Sequence, residues 1–172
     1  AETADKVHIP CILYNVPGRT GCSIPVSVVE RLSTHPNIAG IKEASGDMSY
    51  IMKIAHCAGP DFSLYSGNDD ITIPLMSVGG SGVISVYANV MPAMCHQIVA
   101  DYLGGNQARA VENHLKYLKL MNHLFIEVNP IPVKAAMNLM GLNVGPMRMP
   151  LCAMSPANEA VLRETMKEVG LL

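Results

Sequence analysis

The sequence predicts an α/β protein built on a parallel sheet, and three observations carry that reading. β-type runs stand at 10–17 (PCILYNVP), 38–44 (IAGIKEA), 62–67 (FSLYSG) and 82–90 (GVISVYANV), with starts 28, 24 and 20 residues apart. A helical pattern fills each interval, which is the spacing of βαβ units with right-handed crossovers. The runs are also nearly continuous in apolar residues, as expected of strands covered on both faces.

Taken in order, AETADK reads as the tail of a helix, and with Ala1 in place of an initiator methionine we expect the 172 residues to be part of a longer chain. IPVSVVERLST follows the first strand, DMSYIMKIAHCAG the second and DDITIPLMSVGG the third. The second of these is the clearest helix, because Met48, Ile51, Met52 and Ala55 recur at i, i+3, i+4 and i+7 and form one apolar stripe. GGSG at 79–82 precedes a strand and does not open a helix, so it reads as a helix stop plus a tight turn rather than a phosphate loop. From residue 91 the pattern is purely helical: MPAMCHQIVADYLGG, a long segment from Asn106 to about Glu127, PIPVKAAMNLMG, and SPANEAVLRETMKEVG. The last has Ser155 as cap, Pro156 just inside and Gly170 near its end. The layout is four βα units in residues 1–104 and a helical region in 105–172. Periodicity fits equally a small doubly wound sheet and half of an eight-stranded barrel, whose whole form takes about 250 residues.

Composition narrows the classes of function. With 49% hydrophobic and 15% charged residues the chain is a globular one with a sizeable core. Its net charge of -2 comes from 12 basic and 14 acidic residues scattered singly, which leaves no footprint for nucleic acid or an anionic membrane. No window approaches the roughly 20 apolar residues of a membrane span. Five cysteines (Cys11, Cys22, Cys57, Cys95, Cys152) form no CxxC pair and lie mostly in apolar runs, which predicts reduced core thiols and a cytoplasmic protein. Six histidines without metal-ligand spacing, and the lack of a GxSxG elbow, argue against metal and serine-hydrolase chemistry.

The unusual residue is Lys42, in NIAGIKEASGD. Strand alternation puts Gly40, Lys42 and Ala44 on one face and Ala39, Ile41 and Glu43 on the other. Small neighbours predict a hollow around the lysine, and Glu43, on the opposite face of an ideal strand, is not an automatic ion-pair partner. A strand-end lysine ordinarily snorkels to water. One held partly out of water favours its neutral, nucleophilic form and attacks a carbonyl to give a Schiff base. The C-terminal ends of parallel strands are where active sites gather. YNVPGRTG, at 14–21, closes the preceding strand and offers Tyr14 as a proton carrier and Arg19 as a carboxylate clamp, although a rim tyrosine and an exposed loop arginine are equally ordinary. Asp69 and Asp70 read as helix N-terminal residues, and Lys134, in NPIPVKAA, as a surface amine at a helix start.

YNVPGRTG, GIKEASGD, SGNDD, GGSGVISVYANV and NPIPVK, in that order over nearly the whole chain, resemble the C-terminal part of the dihydrodipicolinate synthase family. The resemblance implies a (β/α)8 TIM barrel, of which this chain would supply strands five to eight, a half-barrel, plus a C-terminal helical extension. It implies a cytoplasmic homo-oligomer, a tetramer of tight dimers, that needs no cofactor. The implied reaction joins pyruvate to L-aspartate semialdehyde through a lysine Schiff base, giving 4-hydroxy-tetrahydrodipicolinate for lysine and diaminopimelate biosynthesis. Lys42 matches the family's Schiff-base lysine, Tyr14 its proton-relay tyrosine, Arg19 the arginine that holds the semialdehyde carboxylate, and Ile84 a residue whose backbone lines the pyruvate pocket. The family's threonine pair and a second tyrosine belong to its first four strands and have no match here, so an inactive fragment is one expectation for this length. N-acetylneuraminate lyase and keto-deoxy sugar-acid aldolases share the lysine and tyrosine. Arg19 favours the synthase over them.

Overall fold

The four strands stand side by side in the order in which the chain makes them. The computed structural model, describing residues 1–172, places β1 (Cys11–Asn15), β2 (Ile38–Glu43), β3 (Ser63–Ser66) and β4 (Gly82–Val83) in one parallel sheet of order β1-β2-β3-β4. A doubly wound sheet reverses its strand order at a switch point, whereas a barrel adds each strand beside the last. The unreversed order therefore decides the alternative that periodicity left open, in favour of a half-barrel.

This sheet belongs to the first of two units, Ala1–Ile84 and Ser85–Leu172. Its helices are α1 (Glu2–Lys6), the one-turn α2 (Pro17–Thr20), α3 (Val26–Ser33), α4 (Met48–Ile54) and α5 (Thr72–Met76). Asp47 caps α4, its carboxylate accepting the Ser49 N–H. Val29, Ile41, Ile51, Ile54, Leu64 and Leu75 make the buried core. Ile38 and Ile41 of β2 and Leu64 of β3 belong to this core, and Glu43 and Ser66 are buried at the strand ends. The opposite face is not covered: Ile12 and Tyr14 are each 48% exposed. The expectation of two covered faces thus holds for one face of this unit only. Alternation alone explains the pattern, because Cys-Ile-Leu-Tyr is apolar on both faces whether or not both are packed.

Two further expectations change. Of the α4 stripe, Ile51 is buried but Met52 is 57% exposed, and Ile54 takes its place in the core. Met52 lies about 100° around the helix from Ile51, on the side away from the sheet, and the helix tightens into a 3-10 turn at Ala55–Cys57 that carries Ala55 inward. The run at 82–90 is a strand only over Gly82–Val83. At Ser85 the side-chain oxygen accepts the Ala88 N–H, at 2.8 Å, and a 3-10 turn over Tyr87–Asn89 follows. That local bond competes with the ladder and ends it. The cysteines are all unpaired thiols, but none is fully buried, and Cys22 and Cys152 are exposed.

The second unit is helical: α6 (Pro92–Leu103), α7 (Gln107–His123), α8 (Ile131–Leu139) and α9 (Pro156–Glu168). α6 packs on α7, and α7 and α8 on α9, around Leu120, Leu124, Leu162 and Met166. The buried Tyr87 ring lies 6.1 Å from that of Tyr117. Ser155 caps α9 as expected, its hydroxyl accepting the Asn158 N–H. Glu127 reinforces the cap by accepting from the Ser155 N–H at 3.0 Å and the Asn158 amide at 2.8 Å. Those bonds, the Asn158 side chain foremost, hold its carboxyl below the usual carboxylate range. No helix is long and apolar enough to cross a membrane.

Candidate active site

Parallel register brings the chemistry-bearing residues into two adjacent rows at the C-terminal ends of the strands. Tyr14 pairs with Lys42 and Lys42 with Tyr65. One residue further on, Asn15 pairs with Glu43 and Glu43 with Ser66. Because side chains alternate, the first row points to the uncovered face and the second to the core.

In the first row the Lys42 amine lies over the Tyr14 ring, 4.5 Å from its centroid. An ammonium within about 6 Å of an aromatic face is attracted by the ring quadrupole. The lysine therefore turns along the sheet to its neighbour instead of snorkelling outward. It is half-buried. The space for its stem has a different source from the one expected. A Cβ on Gly40 would strike the Ser63 backbone, so that glycine allows β3 to approach β2 and leaves no hollow. A Cβ on Gly67 would meet the Lys42 Cε at 3.0 Å and the Ala44 Cβ at 2.6 Å. Gly67, in the SGNDD stretch, is what makes room for the lysine. Its N–H donates to the Glu43 carbonyl at 2.6 Å, which fixes that approach.

Arg19 stands exposed on α2, the turn that follows β1. Gly21 closes this turn in the left-handed region at φ 72°, its N–H bonded to the Pro17 carbonyl. Ile84 follows β4 and donates its N–H to the Ser66 carbonyl at 2.9 Å, so the ladder already holds its amide. Tyr14 and Lys42 are thus in contact, while Arg19 and Ile84 sit on the loops after the first and last strands at the same end of the sheet.

The second row is a buried polar network. Glu43 is 0% exposed and Asn15 1%. Glu43 accepts from the Asn15 amide at 2.6 Å and from the Ser45 N–H at 2.5 Å, so it is not the partner of Lys42, as alternation predicts. Asn15 in turn accepts the Ile24 N–H at 2.9 Å, and the Tyr50 hydroxyl donates to the Ile24 carbonyl at 2.6 Å. Burial first, then the nearby Glu43 carboxylate and Cys57, push the Tyr50 hydroxyl up to about 12. It remains a donor throughout the neutral range.

The remaining candidates resolve simply. Asp69 and Asp70 open a 3-10 turn that runs into α5, in keeping with an N-terminal role, and Asp69 is buried. GGSG ends α5 and turns into β4, with the Gly80 N–H bonded to the Leu75 carbonyl. Lys134 is half-buried, and its amine donates to the exposed Pro146 carbonyl at 2.7 Å. That bond ties α8 to the segment after it.

Comparison with known proteins agrees with this arrangement. Residues 2–169 match the model of the dihydrodipicolinate synthetase family. The chain belongs to that family. It is 48% identical over 168 residues to the 4-hydroxy-tetrahydrodipicolinate synthase of Clostridium perfringens, covering 98% of this chain and 58% of the relative. The synthase of Thermoanaerobacter pseudethanolicus is 49% identical over 172 residues, covering 99% of this chain and 58% of the relative. Among solved structures, the dihydrodipicolinate synthase of Thermotoga maritima superposes with a TM-score of 0.95 at 41% identity, covering 99% of this chain and 59% of that one. The Aquifex aeolicus enzyme gives 0.94 at 42%, covering 99% and 58%. The chain spans less than two thirds of the length of these relatives, and its four parallel strands and helices are the corresponding part of their (β/α)8 fold.

Proposed function

We propose that this chain is part of a 4-hydroxy-tetrahydrodipicolinate synthase and carries its reacting lysine. The observation that bears the weight is the contact of the Lys42 amine with Tyr14 at the C-terminal end of a parallel sheet. The neutral Lys42 amine adds to the keto carbon of pyruvate, and loss of one water leaves a protonated imine. That cation is an electron sink, so a methyl proton leaves and an enamine forms. The enamine carbon attacks the aldehyde of L-aspartate semialdehyde, whose oxygen takes up a proton. Attack by the semialdehyde's own amine on the imine carbon then closes the ring and releases Lys42. No step needs a metal or an organic cofactor.

Tyr14 serves as the proton carrier for dehydration and for the aldehyde oxygen, a role of the kind that contributes about 10²–10⁴-fold in rate. Arg19 offers a planar fork to the carboxylate of the second substrate, and Ile84 lines the pyruvate side with its backbone carbonyl. We also assign residues 1–104 to the barrel and 105–172 to the helical extension, and read the complete protein as a cytoplasmic homo-oligomer, a tetramer by family resemblance.

The test is substrate choice by the complete gene product. Turnover of pyruvate with aspartate semialdehyde is expected, with N-acetylneuraminate and keto-deoxy sugar acids left uncleaved. Arg19→Ala is expected to raise KM for the semialdehyde more than tenfold with KM for pyruvate little changed. Cleavage of a sugar acid in preference to the condensation would refute the reading.

A further inference from the structure

Asn15, Glu43 and Tyr50 lie outside the reacting contact, yet they connect the strand ends that carry Tyr14 and Lys42 with the loop that carries Arg19. Asn15 follows Tyr14 and Glu43 follows Lys42, so their bond at 2.6 Å ties the two strand ends together from the core side. Residues 16–23 form the loop that bears Arg19. Both polar atoms of the Ile24 backbone, where this loop rejoins the fold, are held: the N–H by Asn15 and the carbonyl by Tyr50. The loop is therefore closed by a side chain of its own first strand and anchored by one from α4. Each group is committed, since Asn15 donates and accepts through different atoms and Glu43 accepts through both oxygens.

We infer that Asn15, Glu43 and Tyr50 are positioning residues that set the Arg19 loop against the Lys42 and Tyr14 strand ends, and so control affinity for the carboxylate-bearing second substrate. This rests on the function proposed above for Arg19. A displacement of about 1 Å in a substrate clamp can cost as much as a hundredfold in rate, so the bonds that fix where the loop rejoins the fold bear on the clamp.

The donor and acceptor order of the pair makes the inference testable by exchange. Asn15→Asp alone sets two carboxylates against each other, and Glu43→Gln alone leaves one of the two donors at Glu43 without an acceptor. The double variant Asn15→Asp/Glu43→Gln restores every bond in reversed order. The carboxylate introduced on β1 accepts from the Ile24 N–H and from the amide introduced on β2, whose oxygen accepts the Ser45 N–H. In the complete gene product each single variant, and Tyr50→Phe, is expected to raise KM for aspartate semialdehyde about tenfold, while borohydride trapping of pyruvate on Lys42 and KM for pyruvate change less than about threefold. The double variant is expected to return within about threefold of wild type. Hydrogen exchange of the Ile24 amide should follow the same order: fast in the single variants and slow again in the double. A double variant no better than the singles in both readouts overturns the inference, as does an equal rise in KM for both substrates. If the parent protein traps no pyruvate, the proposed function fails, and the exchange pattern alone still decides whether the three residues hold the loop.

Discussion

The two units place their buried polar groups in different settings. In Ala1–Ile84 the sheet buries Asn15, Glu43 and Ser66 as a row at its C-terminal edge, each with hydrogen bonds inside the protein. Ser85–Leu172 buries Asp101 beside Arg109 at 3.2 Å, and its other ion pairs lie at the surface, as in Lys119 with Glu168 at 2.7 Å and Lys167 with Glu164 at 2.7 Å. Surface pairs contribute little, because water screens them and two long side chains must be immobilised. Buried groups that lose a partner are costly. Beside the lysine, polar burial falls where strand ends must be held in fixed register, whereas the buried Asp101, His114 and Thr165 of the second unit stand on helices.

Several substitutions sharpen this contrast. The largest effect is expected from Tyr14→Phe, which removes the proposed proton carrier but keeps the ring under the lysine. kcat should fall about 10²–10³-fold with the fold and the Lys42 contact retained, as read by steady-state kinetics beside circular dichroism. A loss under tenfold would move the proton role to another group. Next comes Glu43→Ala, which leaves the Asn15 amide and the Ser45 N–H without their acceptor. It should cost about 2–4 kcal/mol in urea unfolding, whereas Glu168→Ala in the helical unit should cost less than about 0.5 kcal/mol. Equal costs would erase the distinction between the units.

The smallest effect is one of pH. Tyr50 keeps its proton up to about 12 in the folded protein against an ordinary value of 10.0. Between those values the folded state holds a proton that the unfolded state releases, so stability falls as pH rises. The contribution of the hydroxyl is complete below the lower value and gone above the higher. The unfolding midpoints of wild type and Tyr50→Phe should therefore differ most near neutrality and converge toward about pH 12. A constant gap would mean that burial and the Glu43 carboxylate do not hold the proton on Tyr50.

How much of this is legible in the sequence follows from the range of each interaction. Lys42 and Tyr14 are readable because each lies near the end of a strand, and strand alternation also places Glu43 away from the lysine. The α9 cap is readable because Ser155 and Pro156 act within one turn. Gly67 escapes a reading of the sequence: its role is to let β3 approach a lysine 25 residues earlier in the chain (67 − 42), and a glycine beside an aspartate pair looks like an ordinary turn. The Asn15–Glu43 bond spans 28 residues. It is invisible until parallel register sets the two side by side, although both being terminal strand residues is the available signal. The extent of the last strand misleads because Val, Ile and Tyr propensities favour β structure, while the Ser85 side chain ends the ladder after two residues.

Lys42 is proposed as the amine that captures pyruvate. Borohydride reduction of the complete gene product in the presence of pyruvate, followed by peptide mass spectrometry, tests it directly. One reduced pyruvate adduct is expected, on the peptide containing Lys42, and it should be lost in Lys42→Arg. An adduct on Lys134 or Lys53 in place of Lys42, or no adduct in a protein that still turns over pyruvate, would contradict it.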